Sequence, residues 1–148
     1  MTGDVYRIQR EPIDVSAVLR LLDNPGAGGQ ALFLGVVRDE FEGRKSCGLT
    51  YDAYEPLAER EMARVGDELH AEWSLIRVVI VHRIGDLAVG EASVLVACAA
   101  AHRGAAMEAC RAGIDRLKVR VPIWKQEHWE DGEDAWHGAP GGPPANQG

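Results

Sequence analysis

The sequence contains no apolar run close to the ~20 residues that a transmembrane helix needs, although 46% of its residues are hydrophobic. Segment 1–10 carries the charged residues Asp4, Arg7 and Arg10. No apolar stretch follows it, as one would in a secretory signal peptide. These absences predict a globular protein with no membrane partner, and we expect it to reside in the cytoplasm.

Cysteine is scarce and irregularly spaced. The three cysteines, Cys47, Cys98 and Cys110, form no C-x-x-C pair. Their odd number argues against both a disulfide framework and a zinc knuckle, and it fits a reducing compartment. The five histidines form no H-x-x-x-H pair and no cluster with cysteine at metal-ligand spacing. We therefore expect no bound metal and no cofactor.

Positive charge is also in short supply over the whole chain. Sixteen Lys and Arg residues stand against 23 Asp and Glu residues, which gives a net charge of −7. Such a balance argues against nucleic acid as a partner. A local basic region remains compatible with a small anionic ligand.

The length of 148 residues suits one domain, which we place at 1–136. Hydrophobic periodicity predicts a short helix over 13–22, a long helix from Pro56 to Trp73, and a third helix with an apolar stripe from Met107 to Val121. Pro122 should end that third helix. Apolar or alternating runs predict strands at 31–37, 47–54, 76–81 and 93–100.

The predicted order is α-β-β-α-β-β-α, which indicates an α+β fold: one domain with an antiparallel or mixed sheet and flanking helices. We expect strands 31–37 and 47–54 to pair, because a turn pattern lies between them. Lys125 should project from a loop that follows Pro122. The Gly- and Pro-rich segment 137–148 is predicted to be a disordered tail.

Basic residues concentrate between 103 and 125, where six bases and two acids give a local balance of +4. One interpretation is an anion site, and the other is a solvated helix face with Arg111 and Arg116 paired to Glu108 and Asp115. His102, just before the helix, suits either an anion donor or a structural cap.

Lys118 lies beside the stripe residue Leu117, at the predicted edge of the core. Burial and neighbouring cations should lower the pKa of its amine and suit it to proton exchange. The alternative is a lysine whose methylene groups simply cover the core.

Five short motifs follow one another in unbroken order: Gly35-Val-Val-Arg38, Tyr51-Asp-Ala-Tyr54, His82-Arg-Ile-Gly85, Ala101-His-Arg103, and Leu117-Lys118 followed by Val121-Pro-Ile-Trp-Lys125. Together they resemble the large, catalytic subunit of molybdopterin synthase. The resemblance implies an α/β hammerhead fold. It also implies a sulfurtransferase that converts cyclic pyranopterin monophosphate into the dithiolene molybdopterin, in molybdenum cofactor biosynthesis.

In that family the sulfur arrives as a thiocarboxylate on the C-terminal glycine of a small ubiquitin-like carrier subunit. The large subunit is a homodimer within a heterotetramer, and its pockets draw residues from both chains. The resemblance therefore implies three associations for this chain: a carrier subunit, a second copy of itself and the pterin substrate.

The resemblance also implies the site. It makes Lys118 and Lys125 catalytic, with Lys118 as the central acid/base or electrostatic group. Gln126 follows Lys125 where family members usually carry a second basic residue. The implied substrate-binding set is Arg38, His102, Arg103, Lys118, Lys125, Gln126 and Glu127. No cysteine is expected to relay sulfur.

Two other functions compete with this interpretation. A noncatalytic docking protein for a carrier tail would also need cations and backbone donors around a terminal carboxylate. A nucleotide-binding regulatory domain would need a longer phosphate loop than Gly26-Ala-Gly-Gly29, and that loop lacks the expected lysine.

Overall fold

The structure is a computed structural model that describes residues 3–132 and the backbone of residues 134–138. The described residues form three helices, namely α1 (Val15–Leu22), α2 (Glu55–Glu72) and α3 (Arg103–Arg120). They also form nine strands: β1 (Val5–Gln9), β2 (Gly29–Val36), β3 (Glu40–Phe41), β4 (Arg44–Ala53), β5 (Arg77–Arg83), β6 (Gly85–Ala88), β7 (Ala92–Ala100), β8 (Ile123–Trp129) and β9 (Asp134–Gly138). The predicted α+β class is confirmed.

The first sheet has the strand order β1-β5-β7-β2. It is mixed, because β1 runs parallel to β5 while the other neighbours are antiparallel. One face packs on α1 through Val18 and Leu22. The other face packs on α2 and α3 through residues such as Leu69 and Leu117. Burial on both faces explains the nearly continuous apolar sequences of β5 and β7.

The second sheet has the order β3-β4-β8-β9, with β6 also paired to β4. Our prediction that strands 31–37 and 47–54 pair is wrong. β2 pairs with β7 in the first sheet, whereas β4 pairs with β8. The turn pattern between them is real, with Glu42 and Gly43 at positive φ. It joins β4 to the two-residue strand β3 instead.

The helix ends follow the sequence signals. The Asp14 carboxylate caps α1 by accepting a hydrogen bond from the Ala17 N–H at 3.1 Å, and α3 ends at Arg120, two residues before Pro122. The hydrophobic periodicity wrongly assigns Met107 to the buried stripe of α3, because this residue is 59% exposed. In the part of the chain that the structure describes, no helix has the length and apolar character to span a bilayer.

Two strand assignments differ from expectation near the C-terminal end. Lys125 lies inside strand β8 and not in a loop, because pairing with β4 orders this polar sequence. Strand β9 extends to Gly138, two residues into the predicted tail 137–148. The remaining tail residues, 139–148, lie outside the described residues.

A buried carboxylate holds the first strand to the rest of the fold. Asp4 accepts hydrogen bonds from the Val78 N–H at 2.9 Å and from the Tyr6 hydroxyl at 3.2 Å. Its Oδ2 also lies 2.8 Å from His70 Nε2 on α2. The Tyr6 hydroxyl occupies the space above Gly66 of α2, where an added Cβ would lie 1.8 Å from it.

We therefore expect Gly66→Ala to lower the free energy of unfolding by about 1–3 kcal/mol, the usual cost of overpacking. Gly104→Ala in α3 is the matched control, because its nearest neighbour would be 3.8 Å away. That change should be neutral or slightly stabilising. In a Tyr6→Ala background the penalty of Gly66→Ala should disappear. Equal penalties in both backgrounds, measured by urea unfolding, would contradict the proposed contact.

Candidate functional site

A cavity of about 300 Å³ lies where the two sheets meet the last turns of α3. Three cationic side chains and two carboxylates line it: Arg38, Lys118, Lys125, Glu40 and Glu127. Most of the remaining wall comes from β2, β4 and β7, with Gly35, Leu49, Tyr51 and Ser93 among its residues, and Phe41 of β3 completes it. Four of the residues implied by the resemblance therefore share this cavity.

Lys118 extends from the last two turns of α3. Its neighbour Leu117 is 3% exposed and anchors that part of the helix in the core. The Lys118 side chain is exposed where it borders the open cavity. Burial of the amine on its other sides, together with the nearby Lys125 charge, lowers its pKa. The predicted direction of this shift is confirmed.

Most other bases of segment 103–125 are neutralised outside the cavity. Arg116 pairs with Glu72 at 2.7 Å and with Glu68 at 3.0 Å, and Arg120 lies 2.8 Å from Glu68. Arg111 pairs with Asp115 as predicted, but the predicted partner of Arg116 on its own helix is wrong. The carboxylates of α2 thus neutralise Arg116 and Arg120. Lys125 is the cation whose charge lowers the pKa of Lys118.

Strand β8 presents Lys125 and Glu127 on one face, because alternate residues of a strand share a side. The Lys125 amine lies 3.8 Å from a Glu127 oxygen and 4.3 Å from the ring centre of Phe41. Glu127 is only 3% exposed, and it accepts a hydrogen bond from the Ser46 hydroxyl at 2.7 Å. A buried, hydrogen-bonded carboxylate thus restrains Lys125.

Arg38 follows β2, where the chain leaves the first sheet, and its side chain is exposed. Among the described residues it makes neither an ion pair nor a side-chain hydrogen bond, unlike Arg116 and Arg120. Its guanidinium is therefore available to an anion at the mouth of the cavity.

Sequence reasoning assigned no role to a second group of lining residues. Tyr51 of β4 and Ser93 of β7 both face the cavity, and the Tyr51 ring contacts the buried His82 ring edge-on at 4.8 Å. Tyr51 and the His82 behind it belong to the motifs Tyr51-Asp-Ala-Tyr54 and His82-Arg-Ile-Gly85. The sequence pattern predicts a strand around Tyr51 but does not reveal what its side chain contacts.

The other implied site residues are not brought to this cavity. His102 and Arg103 lie at the first turn of α3, where Gly29 packs so closely that an added Cβ would lie 3.1 Å from the Arg103 backbone. Fifteen residues at about 1.5 Å each separate Arg103 from Lys118, roughly 22 Å along the helix. Gln126 lies between Lys125 and Glu127 on β8, and strand alternation directs it to the opposite face.

The chemistry available is therefore cationic and acid–base in character. Neither buried cysteine suits nucleophilic attack, because burial raises the pKa of Cys98 to about 12 and also raises that of Cys110. Cys47 is exposed but does not line the cavity. Within the described ranges, no group of three or more His, Cys, Asp or Glu residues is arranged to hold a metal.

Two known proteins with similar sequences carry the same name. A protein of Halalkalibacterium halodurans is 41% identical over 90% of this chain and 85% of its own length, and it is called molybdopterin synthase catalytic subunit. A Drosophila willistoni protein with the same name is 46% identical over 89% of this chain. The match covers only 36% of that longer relative.

Solved structures agree with the sequence matches. A molybdopterin synthase structure from Staphylococcus aureus superposes with a TM-score of 0.86 at 38% identity, over 93% of this chain and 98% of the other. A complex of subunits 1 and 2 of molybdopterin-converting factor from Helicobacter pylori gives a TM-score of 0.71 at 22% identity, over 88% of this chain and 87% of the other. That identity supports a shared fold alone. The sequence model of the MoaE protein matches residues 8–120, and the chain belongs to the MoaE family.

Proposed function

We propose that this chain is the sulfur-transferring subunit of a molybdopterin synthase. It takes sulfur from the C-terminal thiocarboxylate of a small ubiquitin-like carrier and adds it to cyclic pyranopterin monophosphate, so that the dithiolene of molybdopterin forms. The observation that carries this proposal is the convergence of Arg38, Lys118 and Lys125 on one cavity. The names of its relatives support the same reaction.

The cavity suits both substrates of this reaction. A cyclic phosphate and a thiocarboxylate are both anionic, so cations and charge-assisted hydrogen bonds bind them. We assign Arg38 and Lys125 to this binding, with Glu127 holding Lys125 in place. Gln126 is kept in the proposed binding set through its position beside them, although its side chain is directed to the other face of β8.

Lys118 is the proposed acid–base residue. A lowered pKa leaves a larger fraction of its amine uncharged at neutral pH than in an exposed lysine. The neutral amine can accept a proton and the ammonium can return it, as transfer through an acyl intermediate requires. The raised pKa values of Cys98 and Cys110 support a route that uses no thiol of this chain.

A second copy of the chain is part of the proposal. Because roughly 22 Å separates Arg103 from Lys118 along α3, one copy cannot place both in a single small cavity. A two-fold dimer can bring the first turn of one α3 to the other copy's cavity. His102 and Arg103 would then bind substrate there, and carrier subunits would complete a heterotetramer.

We also propose that the reaction takes place in the cytoplasm. The three cysteines are free, which agrees with a compartment that keeps thiols reduced.

The first prediction from this proposed function concerns Lys118. We expect Lys118→Ala to lower dithiolene formation by at least about 100-fold, as loss of an acid–base group does. Lys118→Arg should not restore it, because a guanidinium does not release its proton at neutral pH. Lys45→Ala is the matched control, since Lys45 is exposed, pairs with Asp39 and is not among the residues that line the cavity.

The assay combines the purified chain, a thiocarboxylated carrier and the pterin precursor, and it follows the dithiolene product. Substantial turnover by Lys118→Arg would show that charge alone suffices. Carrier binding with no turnover in the parent chain would instead favour the noncatalytic docking function.

The second prediction is a pH profile. Product formation should rise with pH as Lys118 loses its proton, with a midpoint below the ~10.4 of a free lysine. Lys125→Gln removes the neighbouring charge and should move that midpoint to higher pH. Lys125→Arg retains the charge and should leave the midpoint in place, even if the rate falls. The same midpoint in Lys125→Gln and the parent would contradict the coupling of these two amines.

The third prediction tests the shared cavity. Lys118→Ala and Arg103→Ala chains should each be inactive alone, and a mixture refolded together should regain about one quarter of the parental activity. Half of randomly paired dimers are mixed, and each mixed dimer has one intact cavity of two. Activity no higher than the sum of the separate variants would show that both residues act within one chain.

A further inference from the structure

A phenol group forms part of the cavity wall without a role in the reaction as described so far. Tyr51 lies on β4 directly opposite Lys125 of β8 in the strand register. Its side chain lines the same cavity as Lys118 and Lys125. The ring is half-buried against the core, so its position is determined by packing.

The His82 ring packs against the Tyr51 ring and fixes its orientation. The two rings meet edge-on, with an interplanar angle of 75°. His82 is 3% exposed, and its Nδ1 lies 2.8 Å from the Arg83 carbonyl oxygen. Because a carbonyl only accepts, Nδ1 carries the hydrogen in this contact. Burial lowers the pKa of His82 to about 4, so the imidazole is neutral at pH 7.

The Tyr51 hydroxyl remains a hydrogen-bond donor under the same conditions. Burial is the main reason that its pKa is raised, and the Glu127 carboxylate raises it further. Ser93 also lines the cavity, and its hydroxyl partly offsets that rise. The Ser93 hydroxyl donates its hydrogen to the Gly35 carbonyl oxygen at 3.3 Å, so Tyr51 keeps its own phenol hydrogen. That hydrogen can turn about the C–O bond toward an anionic acceptor in the cavity, because a charge-assisted hydrogen bond is stronger than one to a neutral hydroxyl.

We propose that Tyr51 is a ligand-positioning residue of this cavity, whose hydroxyl donates a hydrogen bond to an anionic substrate oxygen. His82 and Ser93 hold it in the orientation for this contact. The inference rests on the function proposed above. The oxygen belongs either to the phosphate of the pterin or to the carboxyl end of the carrier tail, because both present the same kind of acceptor.

The test compares Tyr51→Phe with Tyr54→Phe in the full chain. Tyr51→Phe keeps the ring against His82 and removes only the hydroxyl. Tyr54 is the matched control, because it packs against Trp124 and does not line the cavity. Calorimetry then measures binding of three probes: cyclic pyranopterin monophosphate, a short peptide that ends in a glycine carboxylate, and the same peptide ending in an amide.

We expect Tyr51→Phe to weaken binding of the phosphate or the carboxylate probe about tenfold, the effect of one hydrogen bond to a charged group. Loss for the pterin alone assigns the contact to phosphate, and loss for the carboxylate peptide alone assigns it to the tail. Binding of the amide peptide should be the same in Tyr51→Phe as in the parent chain. Tyr54→Phe should bind all probes as the parent does, and thermal unfolding should be similar in the three proteins.

Unchanged binding of both anionic probes by Tyr51→Phe would overturn this inference while leaving the proposed function intact. Equal weakening for the carboxylate and amide peptides would also overturn it, because that pattern reflects altered packing. A parent chain that binds none of the probes would instead refute the proposed function, and this inference with it.

Discussion

The turn between α3 and β8 is the constraint on which the cavity depends. Pro122 has no N–H to continue the helix, and the Val121 N–H bonds the Leu117 carbonyl at 3.1 Å as the last helical contact. The chain then enters β8 at Ile123. Lys118 therefore stands on the final turns of a helix and Lys125 on the adjoining strand. A continued helix would carry Lys125 away from β4.

Charge distribution around this turn decides which bases remain for a ligand. The carboxylates of α2 pair with Arg116 and Arg120 on the outer side of α3. Lys118 and Lys125 instead share the inner side, where burial makes two positive charges costly. The fold lowers the pKa of one amine and restrains the other beside the buried Glu127. Proximity of the two amines is thus offset in two ways: Lys118 loses its proton more easily than an exposed lysine does, and Lys125 lies beside a carboxylate.

The two ends of α3 serve different surfaces of the molecule. Its last turns border the cavity, whereas its first turn and the residues just before it pack against Gly29 and Gly28, where the chain enters β2. An added Cβ at Gly28 would lie 2.4 Å from the Ala101 carbonyl oxygen, so these glycines permit a close approach of two backbones. They are packing residues in this structure, and the separation of the helix ends is the physical reason for invoking a second copy.

The sequence alone determined the local features: the Asp14 cap, the end of α3 before Pro122, the apolar strands β5 and β7, and the place of Lys118 beside a core residue. These depend on neighbouring residues and on periodicity. Only the tertiary structure decided that β4 pairs with β8, that Tyr51 lies opposite Lys125 and contacts His82, and that Arg116 bonds Glu72 rather than an acid on its own helix. Such contacts join residues up to 83 positions apart, as Ser46 and Trp129 are in the register of β4 with β8. Strand pairing at that separation depends on which faces the whole fold buries, and hydrophobic periodicity carries no information about it.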